Sequence, residues 1–556
     1  MTVSDADVEK KAASAVQPSD ATPPYDVASG DAPVVEEKNS LKRSLQNRHL
    51  QMIAIGGSIG AGLFVGTGSA LEAGGPGSLL ICYLIVGVML LLTVHALGEL
   101  AVLYPTNGAF FTYCIRFINP AWGFAVGWDY AISWLVILPF ELTAAGLTIR
   151  YWRPDLNVGI WITVFLVVLS AIQLFGVRGY GEVEFILGMI KVIAVIGFII
   201  LGIVIDCGGA PQGGYIGAHY WHDPGAFTTF RGFCSVFTTA AFAFAGTEMT
   251  GLAAAETANP AKSIPKAAKQ VFWRITIFYV LGTFIVGLIV PYNAPYLLNA
   301  DTSDTAASPF VASIKNAGIS GLPSVMNAVI TISVISVANS ATFGSSRTIQ
   351  ALAERHMAPK LFQYIDKGGR PLYCILLQIA FGFLAYINEA SSTGTAIFNW
   401  LLALSGIIDF FVWGSICYAH IRFRKAWAHN GHSVDELAYS APLGVLGSWI
   451  GLGLNVLCLV AEFYVSVAPK NAQDFFENYL GGPLILALFL GWIIYTKINK
   501  DPKLERGATL VKIEDIDIYS NMRDGALDVD LPPKVKYDTW GAWLKAMPMR
   551  IVHSVV

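Results

Sequence analysis

Apolar residues fall in a series of runs, each near the ~20 residues a helix needs to cross a ~30 Å hydrocarbon core. Twelve membrane spans are predicted, at about 50–72, 78–103, 121–148, 158–176, 182–206, 231–255, 271–291, 322–346, 372–388, 396–420, 443–467 and 483–498. Gly and Pro punctuate the joints, as in GGPG at 74–77 and at Pro154, Pro224, Pro291, Pro371 and Pro483. Residues 1–40 have no apolar run and are rich in Pro, Ala, Ser and Asp, so 1–48 reads as a disordered tail. A body over 49–498 follows, then a second polar tail over 499–556.

The positive charges give the body an orientation. Fourteen Lys and Arg fall in the five loops that lie inside if the N-terminus is inside, among them Arg116, Arg178 and the run from Arg347 to Arg370. Five fall in the six outer loops: Arg150, Arg153, Arg231, Lys315 and Lys470. That excess predicts both tails in the cytoplasm.

Composition narrows the class. Charged residues are 13% and hydrophobic ones 54% of the 556 residues, with a mean hydropathy of +0.55. Soluble domains carry about 25% charged residues, so a soluble enzyme, a disordered scaffold and a coiled coil are excluded. The net charge of −3 offers nothing to nucleic acid. Seven cysteines without a CxxC pair suggest neither a zinc site nor a disulfide framework. No phosphate-loop or HExxH string is present, so no enzyme, cofactor or metal is expected.

Two spans look broken. Span 1 reads Ile53-Ala-Ile-Gly-Gly-Ser-Ile-Gly-Ala-Gly-Leu-Phe64, with glycine at 56, 57, 60 and 62. Each glycine weakens a helix by about 1 kcal/mol relative to Ala. Small-residue packing accounts for a pair such as Gly56 and Gly60. An unwound stretch accounts for all four, and a helix restarting near Ser58–Gly62 would point free N–H groups at an anion. Span 6 holds Gly246-Thr247-Glu248 in an apolar run, which is unfavourable unless it lines a polar cavity. The breaks lie about 190 residues apart, each opening a five-span block: 49–206 and 231–422, with spans 11 and 12 extra (443–498). That spacing predicts an inverted-repeat secondary transporter.

The strings LKRSLQNRHLQMIAIGGSIGAGLFVGTG (41–68), ALGELAVLYPTNGAFFTY (96–113), LPFELTAA (138–145), FAFAGTEMTGLAAAETANPAKSIPKA (242–267), HIRFRKAW (420–427) and VKIEDIDIYSNMRDG (511–525) closely resemble fungal amino acid permeases. These form the yeast amino acid transporter family of the amino acid–polyamine–organocation superfamily. The resemblance runs from residue 41 almost to the C-terminus. It implies an all-α polytopic membrane protein of the LeuT-like fold, with twelve transmembrane helices, two inverted five-helix repeats and broken helices 1 and 6. It implies proton-coupled amino acid uptake at the plasma membrane, of broad specificity. It also implies removal from the surface by the ubiquitin machinery acting on tail lysines such as Lys10, Lys11 and Lys38. The alternatives are a narrower permease for cationic amino acids or proline, and a sensor that does not transport.

An amino acid substrate needs partners for its carboxylate, ammonium and side chain. The N–H groups of Ser58, Ile59, Gly60, Ala61 and Gly62, with the Ser58 hydroxyl, are expected to take the carboxylate, and Gly57 is placed in the same substrate site. Carbonyls of Phe242, Ala243 and Phe244 are expected to take the ammonium, with Phe244 as a lid and Thr247 beside it. Ionisable residues inside spans are His95, Glu99, Asp129, Glu141, Lys191, Glu248, Asp409 and Glu462, each a functional candidate. Glu99 and Glu462 lie toward span ends and read as structural. By resemblance, Glu141 and Glu248 serve substrate binding or proton coupling. Lys191 stands where sodium-coupled relatives hold sodium, or else it reaches out to the cytoplasmic face. Two features depart from the family pattern: Asp409 stands where a small hydroxyl residue is commoner, and span 8 has a Phe-Gly pair in Asn339-Ser-Ala-Thr-Phe-Gly344. Asp409 either faces the substrate ionised, favouring cationic side chains, or is protonated or paired with Lys191 or a backbone donor, leaving selectivity broad and the residue structural.

Overall fold

A computed structural model describes residues 45, 47–257, 259–298, 308–387, 394–467 and 471–523. The tail readings for residues 1–44, including Lys10, Lys11 and Lys38, lie outside the described residues. Among the described residues the secondary structure is helical, apart from an isolated bridge between Leu45 and Thr257.

Eight helices are each long and apolar enough to cross a membrane. They are Gly66–Leu103, Pro120–Arg150, Gly176–Asp206, Pro260–Ile289, Leu322–Glu354, Leu404–His429, Gly444–Val467 and Gly481–Ile498. Two shorter apolar helices, Val158–Gln173 and Leu372–Tyr386, cover predicted spans 4 and 9. Predicted spans 1 and 6 are each in pieces: Asn47–Gly56 and Ala61–Phe64, then Phe230–Phe244 and Met249–Leu252. Segments are named below by predicted span number.

Several boundaries differ from the hydropathy reading, each for a local reason. Gly66–Leu103 runs through the predicted joint between spans 1 and 2, and turns at Gly75 (φ 81°, ψ 169°) just before Pro76. Span 7 starts at Pro260 instead of 271, because Asn259 accepts the Lys262 N–H and proline suits the first helical position. That first stretch is polar and so escapes a search for apolar runs. Span 7 then passes through a π-helical segment, Ile275–Leu281.

Spans 3 and 8 pack along each other at the centre, with the second half of span 1 laid on the first half of span 6. Their side chains are almost all buried, whereas Val167, Ile193, Val460 and Ile494 of spans 4, 5, 11 and 12 form an exposed apolar girdle. The chain after span 12 folds back onto the Lys/Arg-rich face. Val511 N–H donates to Ile118 O (2.9 Å), Tyr104 hydroxyl donates to Ile518 O (2.6 Å), and Ile516 and Ile518 are buried there.

Candidate functional site

The first helical piece of span 1 ends because its glycines lack the side chains that favour helix. Gly57 N–H still reaches Ile53 O (2.9 Å), and both Ser58 and Ile59 donate to Ile55 O (3.3 and 3.1 Å). Gly60 then opens out (φ −146°, ψ −148°) and a new helix begins at Ala61. Of the amides expected to await a carboxylate, those of Ser58 and Ile59 are therefore already bonded within the span. The Ala61 amide is taken as well, by the Glu141 carboxylate. The Ser58 hydroxyl also turns back, toward Ile55 O (3.4 Å). Gly60 and Gly62 remain, at a helix start where no intrahelical acceptor exists.

Span 6 breaks after Phe244. Phe244 O accepts both the Thr247 hydroxyl (2.9 Å) and Thr247 N–H (3.4 Å), and Gly246 sits at φ 86°. A Cβ on Gly246 would lie 2.8 Å from the Gly57 carbonyl, so the two breaks touch backbone to backbone. A Cβ on Gly62 would lie 2.7 Å from Ala243 Cα. The glycines that unwind span 1 also let the other half come this close, so both readings of them hold at once. Phe244 is fully buried, stacked on Tyr279 of the π-helical segment (4.0 Å between ring centroids) and beside Tyr83. Phe242 packs on Phe140 of span 3 (5.0 Å).

A first polar cluster sits where span 1 stops. Lys191 is 0% exposed and its Nζ donates to Gly56 O (2.7 Å), the carbonyl end of the first half-helix. The reading in which Lys191 reaches the cytoplasmic face is thereby overturned. Glu184, two turns earlier on the same helix face, accepts Ser336 Oγ and Asn339 Nδ2 of span 8 (both 2.6 Å). Gln173 of span 4 donates to Asn339 Oδ1 (2.9 Å). Lys191 lies in the field of both Glu184 and Glu141. Spans 1, 3, 4, 5 and 8 are thus joined through one buried network.

A second cluster sits beyond the span 6 break. Glu248 accepts Tyr130 hydroxyl (2.9 Å), Trp413 Nε1–H (3.2 Å) and Gly246 N–H (3.2 Å), bracing spans 3, 6 and 10. Asp409 lies close enough to both Glu248 and Asp129 to interact with them by charge. Both Asp129 oxygens and Asp409 Oδ2 are buried without a hydrogen-bond partner among the described residues. Arg274 approaches the same cluster from span 7, in the field of Glu248 and Tyr279. Lys191 donates to Gly56 O of span 1, which disfavours the alternative in which Asp409 pairs with Lys191.

The remaining buried charges are bracing. Glu99 binds Arg424 Nη2 (2.7 Å), His420 Nε2 (3.0 Å) and Ala441 N–H (2.6 Å), clamping span 2 to span 10 and to the loop that leads into span 11. Glu462 accepts Thr238 N–H (2.8 Å), and His95 Nδ1 meets the Tyr439 hydroxyl (2.5 Å). Glu184, Tyr130, Trp413, Tyr279 and Arg274 were not picked out from the sequence. Only Glu184 left a signal there, its two-turn spacing from Lys191.

An all-helical membrane body with two interrupted helices crossing at its centre is the build of a membrane transporter. The chain belongs to the amino acid permease family, which it matches over residues 49–505. Among its relatives is the general amino-acid permease GAP1 of Saccharomyces cerevisiae, 49% identical over 89% of this chain and 83% of the relative. General amino-acid permease GAP2 of Candida albicans is 52% identical, covering 90% and 84%. Cationic amino acid transporter 1 of Schizosaccharomyces pombe is 53% identical, covering 85% and 81%. The family consists of transporters, and the chain is no enzyme.

Proposed function

We propose that this permease takes up amino acids across the plasma membrane by alternating access, coupled to protons and with broad specificity. The fold proposed for it is the twelve-span LeuT-like one, with both tails cytoplasmic. The observation that carries the reading is the contact of Gly57 with Gly246, which sets both helix breaks against one point. The substrate carboxylate is assigned to the Gly60 and Gly62 amides, and its ammonium to the carbonyl end at Phe242–Phe244. Glu141 bridges the two functions: it holds the Ala61 amide and keeps Oε2 unbonded among the described residues. Glu141, Glu248 and Lys191 are the proposed proton-coupling groups. Lys191 on Gly56 O supplies a fixed cation where a sodium ion would otherwise neutralise the carbonyl end.

Uptake of labelled amino acid in a permease-deficient host tests this. Collapse of uptake with a protonophore, and indifference to replacing sodium by choline, are expected. Sodium dependence would overturn the coupling, and a surface-expressed chain without uptake would leave the sensor reading.

Asp409 favours a second, narrower reading, as a permease that prefers cationic substrates. It adds a carboxylate beside Glu248 and Asp129, and one relative carries the name of a cationic amino acid transporter. Opposite charges about 4 Å apart attract by roughly 4 kcal/mol at an effective dielectric near 20. A third of that is about tenfold in affinity. Asp409→Ser is expected to raise the KM for arginine about tenfold and leave that for leucine unchanged. Parallel loss of both would make Asp409 structural.

A further inference from the structure

A cavity of about 550 Å³ opens far from the helix breaks, on the Lys/Arg-rich face. Its walls come from the start of span 3, the end of span 12 and the turn that follows span 8. One wall is aromatic. Phe124 stacks on Trp492 (4.3 Å, 18° between ring planes), with Trp128 and Tyr495 beside them. The polar edges of these rings are already occupied. Trp128 Nε1–H donates to Met357 O (2.9 Å), Trp492 Nε1–H donates to Glu505 O (3.2 Å), and Tyr495 hydroxyl accepts Asn499 Nδ2–H (3.0 Å). What the rings present to the cavity is therefore apolar surface at the level where a span ends, the depth at which Trp and Tyr meet a membrane interface. Ile494 and Ile498 continue that surface outward, both exposed.

The rim is cationic. His356 and exposed Lys360 line the cavity together with Asp501, and exposed Lys497, Lys500 and Lys503 neighbour its span 12 lining along the chain. None of the four lysines has a carboxylate within 4.0 Å among the described residues. Of the acids nearby, Glu505 pairs with Arg355 (2.8 Å), and Asp501 Oδ1 accepts the backbone N–H of Lys503 (3.0 Å), which leaves one carboxylate against four lysines. His356 sits at φ 58° as the left-handed residue that ends span 8, with its N–H on Ala353 O (3.0 Å) and the Met357 N–H on Leu352 O (2.8 Å), which fixes the turn that carries Lys360. An apolar wall below a rim of unpaired cations matches a molecule with a hydrocarbon chain and an anionic head.

We propose that this cavity binds an anionic phospholipid of the inner leaflet. Its acyl chain lies on the Phe124–Trp492 wall, and its phosphate rests on Lys360 with His356 beside it. The lipid then bridges spans 3 and 12 to the turn after span 8; span 3 carries Glu141 and Tyr130, and the turn continues from span 8, which carries the partners of Glu184. Phosphatidylserine and phosphatidylinositol share the phosphate that this rim recognises.

The test uses the full-length protein in nanodiscs of phosphatidylcholine mixed with either anionic lipid, or with a sterol. Lipids retained on transfer to detergent are counted by native mass spectrometry. Wild type is expected to retain at least one anionic lipid with about tenfold preference over phosphatidylcholine. Lys360→Glu should abolish that preference and Lys360→Arg should keep it. Because Lys360 is exposed, neither change threatens the fold. Enrichment of either anionic lipid supports the site, and the arm that shows it names the source. Equal retention of phosphatidylcholine, sterol retained in place of anionic lipid, or a preference that survives Lys360→Glu overturns it.

Discussion

Gly246→Ala is expected to remove nearly all uptake while the protein still reaches the cell surface. The added Cβ meets the Gly57 carbonyl carbon and oxygen at 2.8 Å, and both are backbone atoms that no rotamer change can move. The residue must also hold φ 86°, which disfavours any L-residue by about 1–2 kcal/mol. Overpacking adds about 1–3 kcal/mol. Together these give roughly 2–5 kcal/mol, about 30- to 4000-fold in the population of the closed crossing. The neighbouring glycines should follow in an order set by what each Cβ would strike. Gly62→Ala meets Ala243 backbone at 2.7 Å and should be nearly as severe. Gly60→Ala meets the Val337 side chain at 2.5 Å and Glu141 Oε1 at 3.2 Å, so part of the strain can relax. Gly57→Ala finds nothing nearer than 3.3 Å and should be mildest, whereas Gly57→Val, with its two further methyl-sized branches, should fail outright. Initial uptake rates normalised to surface protein check the series. Gly57→Ala more damaging than Gly246→Ala would contradict the crossing of the breaks.

The parts of this structure that could be read from sequence are those coded by local contrast. Glycine-rich and polar interruptions stand out in apolar runs, so the breaks at 57–60 and 245–248 were visible, and Lys191 was visible as a lone cation. Long-range partners carry no such contrast. Glu184 looked like a residue at the edge of span 5, yet its partners Ser336 and Asn339 lie about 150 residues away. Tyr130 and Trp413 looked like ordinary span aromatics until the fold brought both to Glu248. The amides of Ser58 and Ile59 were expected to be free because glycine breaks helices. The helix ends at Gly56, but a turn beyond it holds both amides on Ile55 O before Gly60 opens the chain. The tail 511–518 gives no sign of docking, since half the residues of VKIEDIDI are charged, and its burial rests on Ile516 and Ile518.

Lys191 and Glu184 should behave as a pair whose structural and transport roles separate in a double-mutant cycle. Lys191→Met removes the donor to Gly56 O and the cation in whose field Glu184 and Glu141 sit. Leaving buried carboxylates without their counter-charge destabilises by about 3–5 kcal/mol. The variant should therefore unfold at lower temperature in detergent and take up no amino acid. Glu184→Gln alone keeps hydrogen-bonding atoms toward Ser336 and Asn339, so its loss of stability should be smaller. Combining the two removes one charge of each sign, and the double variant should recover part of the stability that Lys191→Met loses. Residues in one buried network couple by about 0.5–3 kcal/mol, enough for the recovery to be measured. Uptake should not recover with it, because no cation then caps the carbonyl end of the first half-helix. Thermal unfolding and uptake are followed in all four proteins, at pH 5 and pH 7. If uptake returned in step with stability, Lys191 would be a structural brace. If stability returned without uptake, the cation at the break in span 1 would be part of the transport cycle itself.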